Sequence, residues 1–164
     1  MSIADAMIGE FAQESTGTRK MLERIPEDNL LWKPHEKSMT MGRLATHLAE
    51  IPEWAETIVN HESFDMAASD YKPKEFGKAE ILELFDKNVQ DFKKILSGQP
   101  DERLFQNWKL LSGDHVAVEM PRLAYLRGFV LSHGIHHRGQ LSVYLRENDI
   151  PLPALYGPSA DEEM

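Results

Sequence analysis

The sequence predicts an all-α protein built as a four-helix bundle, and it permits a short β-hairpin before the last helix. Four stretches of similar length carry apolar residues at helical spacing, and capping or helix-stopping residues separate them. Of the 164 residues, 41% are hydrophobic, which suits one domain with a buried core over 1–164. A bundle is the usual way in which four amphipathic helices bury their apolar faces.

The first predicted helix runs from Ser2 to Ile25. Ser2 is a suitable N-cap, and Pro26 ends the helix because the residue before a proline avoids the helical conformation. Glu14 and Ser15 interrupt the apolar stripe of this helix. Two explanations stay open, an error in the assumed register or a wet pocket inside the bundle.

The second and third helices are predicted over Met39–Asn60 and Lys78–Leu96. Pro52 lies inside the second pattern and predicts a kink or a missing backbone hydrogen bond there. The third helix stops at a Ser-Gly pair followed by Pro100. The connection over 61–77 is long enough for a crossover between the two helices.

The segment 104–120 is the one place where strands are predicted. Apolar and other residues alternate over 116–120, and the Ser-Gly-Asp sequence at 112–114 suits a turn. The last helix then runs from Pro121 to Asn148, with the proline in its first turn. Three glycines inside this helix suggest a close approach of another helix, with tolerated exposure as the alternative. They are Gly128, Gly134 and Gly139.

Charge and composition exclude several functions. The formal net charge is −9 and no dense basic run occurs, so nucleic acid is not the expected partner. The chain has no cysteine, which excludes disulfides, thiolate metal sites and a cysteine nucleophile. Neither a signal peptide nor a membrane-spanning apolar run is apparent, so a cytoplasmic location without membrane contact is expected.

The last predicted helix carries three of the seven histidines, His133, His136 and His137. With about 100° of rotation per residue, the apolar face is centred between His133 and His137, and His136 lies on the flank. Residues at positions i and i+4 are neighbours on a helix, so these two imidazoles could bind one metal ion. The remaining loop and helix-end histidines, His35, His61 and His115, are interpreted as solvated.

His47 lies within the apolar stripe of the second helix and could supply a third nitrogen ligand. Three inward imidazoles are difficult to bury without a shared cation, although they could also be ordinary core residues. Zinc accepts three nitrogens and one water, and nickel also suits imidazole. The pattern therefore predicts a divalent metal on His47, His133 and His137, with zinc and nickel as the main candidates.

The chain resembles the DinB-like family of bacterial metalloenzymes, which is distinct from the DNA polymerase of that name. The resemblance rests on GRLATHL at 42–48, on SHGIHHRGQ at 132–140, and on the segments 143–146 and 153–161. It implies an up-down-down-up bundle, a homodimer, and one divalent metal per chain on the histidines matching His47, His133 and His137. Some members of this family are S-transferases or isomerases that use low-molecular-weight thiols.

These expectations favour a metal-activated thiol S-transferase that acts on a small electrophile. A metal-dependent small-molecule hydrolase and a non-catalytic interaction or stress protein stapled by its metal are the alternatives. Gln140 and Tyr144 share the predicted histidine face and could line the pocket, with core packing as the alternative for Tyr144. Glu50 is a candidate general base, against the alternative of a solvated surface position.

Overall fold

The computed structural model describes residues 1–163 as a mainly helical protein with a small three-stranded sheet. Five helices are present. They are α1 (Ile3–Glu23), α2 (41–60), α3 (Lys78–Leu96), the short α4 (Asp101–Phe105) and α5 (122–147). The strands are β1 (Ser63–Asp65), β2 (Asn107–Ser112) and β3 (His115–Pro121).

The first helix begins and ends where the sequence predicts. The Ser2 hydroxyl accepts a hydrogen bond from the Asp5 amide, and the Asp5 carboxylate accepts one from the Ser2 amide, both at 3.1 Å. This reciprocal capping box satisfies two amides at the helix N-terminus that would otherwise lack partners. The helix ends at Glu23, and its C-cap Arg24 lies two residues before Pro26.

The second helix passes through Pro52 without breaking. Its α-helical parts, Met41–Glu50 and Trp54–Asn60, are joined by the 3-10 turn Ile51–Glu53. A tighter turn accommodates the proline, which has no amide hydrogen to donate. Pro52 is buried, so this local change lies against the core of the bundle.

The contacts between neighbouring helices define the directions of the four long helices. α1 and α3 are antiparallel, α2 and α3 are parallel, and α5 is antiparallel to α2. The pairs that show this are Phe11–Phe92 with Arg19–Asp86, Ala49–Asn88 with Val59–Arg103 (Arg103 lies in α4, just after the end of α3), and Trp54–Phe129 with Met39–Tyr144. The long helices therefore run up, down, down and up.

The prediction of an all-α four-helix bundle with a possible hairpin is confirmed in part, because the fold is mainly helical but also has a third strand and a short fifth helix. The predicted hairpin is present as β2 and β3, with Gly113 at φ +60° in the turn. The unpredicted strand β1 pairs in parallel with β2, so the sheet order is β1-β2-β3. Three residues of β1 and five of α4 are too few to show a periodic pattern in the sequence.

The polar interruption of α1 faces a small pocket. Ser15 and Thr18 are buried, and together with Glu14 they line a cavity of about 20 Å³ between α1, α2, α3 and α5. The Ser15 hydroxyl donates to the Phe11 carbonyl at 2.6 Å. The cavity is large enough for one water molecule, so the pocket explanation is favoured over an error in register.

The last helix approaches α1 at Gly17, and not at its own glycines. A methyl group at Gly17 would lie 2.9 Å from Arg138 Nη1 and 3.3 Å from Leu155 Cδ2. Arg138 is buried and donates to the Glu14 carbonyl, the Glu14 carboxylate and the Tyr156 hydroxyl. This cluster fixes the C-terminal segment to the bundle.

The prediction of close packing at the glycines of α5 is wrong. A methyl group on any of the three would have no neighbouring heavy atom within 4 Å. They are Gly128, Gly134 and Gly139. Their Cα positions are therefore open, which matches the alternative of tolerated exposure.

Alanine at Gly17 is expected to destabilise the protein by about 1–3 kcal/mol, because Arg138 must move to make space for the methyl group. Gly9 lies on the same helix with open space around it, so Gly9→Ala is expected to stabilise by up to about 1 kcal/mol. Urea denaturation of both variants measures the difference. Equal stability changes in the two variants would contradict the proposed packing.

Over residues 1–163, no helix combines the length and the apolar character needed to cross a membrane.

Candidate metal centre

His47 lies midway along the first part of α2. Thr40 caps this helix by accepting a hydrogen bond from the Arg43 amide at 3.0 Å. Leu44 and Leu48 are buried on either side of His47, which is itself half-buried. The apolar residues thus anchor α2 in the core and leave the imidazole at the edge of the interface with α5.

The segment of α5 immediately before His133 is a π-helix over Leu126–Ser132. Each π-type bond spans one residue more than an α-type bond, so an inserted residue rotates the following helix by about 100°. The buried residues change face accordingly across this segment. Arg122 and Tyr125 are buried before it, and Arg138 and Leu141 are buried after it.

The three predicted histidines meet between α2 and α5. His133 Nε2 lies 2.8 Å from His137 Nε2 and 3.4 Å from His47 Nε2. One ligand atom from each of the three residues lies within 4.8 Å of the other two. The i, i+4 pair on α5 and the single histidine on α2 therefore form one cluster, as the sequence predicts.

Two of the imidazoles are oriented by hydrogen bonds from their other nitrogen. His133 Nδ1 donates to the Phe129 carbonyl at 3.3 Å, and His137 Nδ1 donates to Gln140 Oε1 at 2.7 Å. With the proton on Nδ1, the lone pair of Nε2 faces the centre of the cluster. Such outer partners are the usual means of fixing a histidine that binds a metal.

Burial favours the neutral form of two of the imidazoles, His133 and His137. It lowers the pKa of His137 to about 4, with the neighbouring His133 and His47 adding to the effect against the hydrogen bond to Gln140. Burial also lowers the pKa of His133, again assisted by His47. Neutral imidazole is the form that binds metals, so the site is prepared for a cation at neutral pH.

The donor set fits a divalent metal ion. Bonds of about 2.1 Å in a tetrahedral site place nitrogens about 3.4 Å apart, so the His47–His133 pair at 3.4 Å is already in range and the His133–His137 pair at 2.8 Å needs a small adjustment. Within the described chain, no carboxylate or further histidine joins the three-histidine group. The cluster could therefore hold a metal with at least one coordination position left for another molecule.

Glu50 lies beside the site and not on a solvated surface, so that alternative expectation is wrong. Its Oε2 accepts hydrogen bonds from Arg43 Nη1 at 3.0 Å and from the Tyr71 hydroxyl at 2.9 Å, and lies 3.9 Å from His47 Nδ1. Burial alone would raise the pKa of Glu50. The contacts with His47, Tyr71 and Arg43 outweigh that effect and hold this pKa below its ordinary value.

The remaining candidate residues are distributed around the cluster. Gln140 is largely exposed and acts through its bond to His137, whereas Tyr144 is buried in the core with its hydroxyl donating to the Met39 carbonyl. His136 is exposed, with its ring 5.0 Å from that of His137. The histidines interpreted as solvated, His35, His61 and His115, are all exposed.

The fold and the site define a helical-bundle protein with a three-histidine cluster that could bind a metal. The DinB family model matches residues 1–163. The chain belongs to the DinB family, which confirms the resemblance seen in the sequence.

Two curated relatives and two solved structures match nearly the whole chain. *Bacillus subtilis* YrdA is 25% identical over 161 residues, covering 96% of this chain and 90% of that protein. *B. subtilis* YjoA is 25% identical over 148 residues, covering 90% and 92%. A DinB-like protein from *Bacillus cereus* has a similar fold with a TM-score of 0.74 at 22% identity, covering 93% of this chain and 97% of that one. The structure of YjoA gives 0.70 at 22% identity, covering 90% and 96%.

Proposed function

We propose that the protein is a metalloenzyme that uses one divalent metal ion on His47, His133 and His137 to join a small thiol to an electrophile. The observation that carries the proposal is the convergence of three Nε2 atoms without a fourth protein ligand in the described chain. Structural zinc sites are usually closed by four protein ligands, whereas catalytic sites keep a position free. The geometry therefore favours catalysis over a metal that only staples the helices.

When bound, a zinc or nickel ion would supply Lewis acidity that lowers the pKa of a thiol or a water molecule. The chain provides the neutral imidazoles and orients two of them through Phe129 and Gln140. It also places the aromatic ring of Phe129 against His133, with a ring-centre distance of 5.2 Å. An apolar wall next to the ligands suits a small electrophile better than a highly charged one.

The reaction class is thiol transfer to an electrophilic carbon. The sulfur–carbon bond forms as a carbon–halogen or epoxide carbon–oxygen bond breaks. The halide leaves, or the opened epoxide takes up a proton, and the thiol proton passes to solvent. A low-molecular-weight thiol is the proposed co-substrate, in keeping with the family resemblance. With water in place of the thiol, the same site would be a hydrolase.

The test compares zinc-loaded, nickel-loaded and chelator-treated protein in an assay with a small thiol and a halide electrophile. We expect the metal-loaded protein to accelerate thioether formation well above the chelated sample, and re-addition of metal to restore the rate. Release of alcohol in place of thioether would assign the hydrolase. Equal rates with and without metal, for both products, would contradict the proposed enzyme.

A further inference from the structure

His47 is the one histidine of the cluster whose outer nitrogen has no hydrogen-bond partner in the described chain. The Nδ1 atoms of His133 and His137 are bonded to a carbonyl and to an amide oxygen. Glu50 Oε2 lies 3.9 Å from His47 Nδ1, one helical turn further along α2. This distance is longer than a hydrogen bond but close enough for an electrostatic contact.

Glu50 is held in place from two other directions. Arg43, one turn before His47, donates to its Oε2 at 3.0 Å, and Tyr71 from the connection 61–77 donates to the same oxygen at 2.9 Å. Arg43 also donates to the Tyr71 hydroxyl at 2.7 Å. The side chains of Arg43 and Glu50 are only 13% and 15% exposed, so this is a built cluster and not a loose surface ion pair.

The position of Glu50 excludes it as a base that reaches a substrate at the metal. Its carboxylate faces Nδ1 of His47, whereas the cluster centre lies on the Nε2 side of that ring. A carboxylate behind a histidine ligand orients the ring and increases the basicity of the nitrogen that binds the metal.

We infer that Glu50 is a positioning residue for the metal ligand His47, held in place by Arg43 and Tyr71. The inference rests on the proposed metal centre and adds the third outer partner that the histidine set lacks. It also makes the connection 61–77 part of the site, because Tyr71 belongs to that segment. Of the three outer partners Glu50 alone carries a charge, so it is expected to contribute most to metal affinity.

The experiment measures Co²⁺ binding by the visible absorption of the full-length protein. We expect Glu50→Ala to weaken Co²⁺ binding by about 10–100-fold and to change the shape of the absorption bands, since the ring of His47 is no longer fixed. Glu50→Gln keeps an acceptor oxygen without the charge, and is expected to recover part of the affinity with a wild-type spectrum. Glu53→Ala removes an exposed glutamate three residues further along and is the matched control.

The outcomes separate the inference from the proposed function. If the wild type binds Co²⁺ and both Glu50 variants bind it with the same affinity, the role of Glu50 is overturned. The proposed metal centre is not affected by that result. A wild-type protein that does not bind Co²⁺ overturns both. If Glu50→Ala does not fold, Glu50→Gln decides, with lowered affinity in support and unchanged affinity against.

Discussion

Replacing His133 by alanine is expected to abolish stoichiometric metal binding. His133 Nε2 lies 3.4 Å from His47 Nε2 and 2.8 Å from His137 Nε2, so its loss leaves only two of the three ligands. Losing an outer partner of a metal ligand costs about 10–100-fold in affinity, and losing the ligand itself is expected to cost more than about 100-fold. Elemental mass spectrometry of untagged protein should find about one metal ion per wild-type chain and almost none in the variant.

His136→Ala is the matched control for this prediction. His136 is the neighbouring histidine in the same helical turn, but it is exposed and stands outside the three-histidine group. The control should keep its metal and the metal-dependent rise in melting temperature, which His133→Ala and His47→Ala should lose. Full metal content in His133→Ala, or none in the wild type after titration with zinc and nickel, would refute the site.

The ligand set could be predicted because it depends on local geometry. Two histidines four residues apart share a face of any α-helix, and the π-segment ends before the first of them. His47 repeats at helical spacing with Leu44 and Leu48, so its position near the core also follows from the pattern. The packing of α2 against α5, which brings His47 to the other two histidines, could be expected from the bundle architecture and from the family resemblance.

The exact face of α5 could not be predicted. A regular α-helix drawn through 126–144 places Gln140 among the buried residues and leaves Arg138 outside. The π-segment rotates the later part of the helix, so Arg138 is buried and Gln140 is largely exposed. No simple sequence pattern marks an inserted residue, because the same side chains suit either type of turn.

The polar partners of the site were the other feature that sequence patterns could not locate. Glu50 could be named as a candidate, but its contact with Tyr71 brings together residues 21 positions apart through an irregular connection. The same limit applies to Arg122, which the sequence places only at the start of the last helix. Such contacts depend on tertiary packing, and the periodic spacing of apolar residues in the sequence does not predict them.

Arg122 joins the beginning of α5 to the end of α2. Its side chain is fully buried, and Nη1 donates to the carbonyls of Ile58 and His61 at 2.6 and 2.7 Å. Nη2 binds Glu62 at 3.0 Å. The last carbonyls of a helix have no partner within the helix and carry partial negative charge, so a cation is favourable there. Burial, together with the nearby Arg103, lowers the pKa of Arg122.

Arg122→Met is expected to destabilise the protein by about 3–5 kcal/mol. Methionine fills a similar length but leaves two carbonyls without a charged donor, and each such bond contributes about 1.5–3 kcal/mol. The melting temperature should fall by roughly 10 °C for a chain of this size. Urea denaturation in the presence of a chelator measures the loss without any contribution from bound metal.

Comparing the stability loss of Arg103→Met with that of Arg122→Met shows how much of the loss depends on burial of the arginine. Arg103 also binds the end of α2, donating to the Val59 carbonyl from Nε and Nη2, but its side chain is 24% exposed. Water can replace part of its hydrogen bonding, so the expected loss is about 1–2 kcal/mol.

Arg122→Lys should recover part of the stability, because one ammonium group can reach the carbonyls but cannot also bind Glu62 as a guanidinium does. A loss below about 1 kcal/mol in Arg122→Met would show that the buried guanidinium only balances its own cost of desolvation.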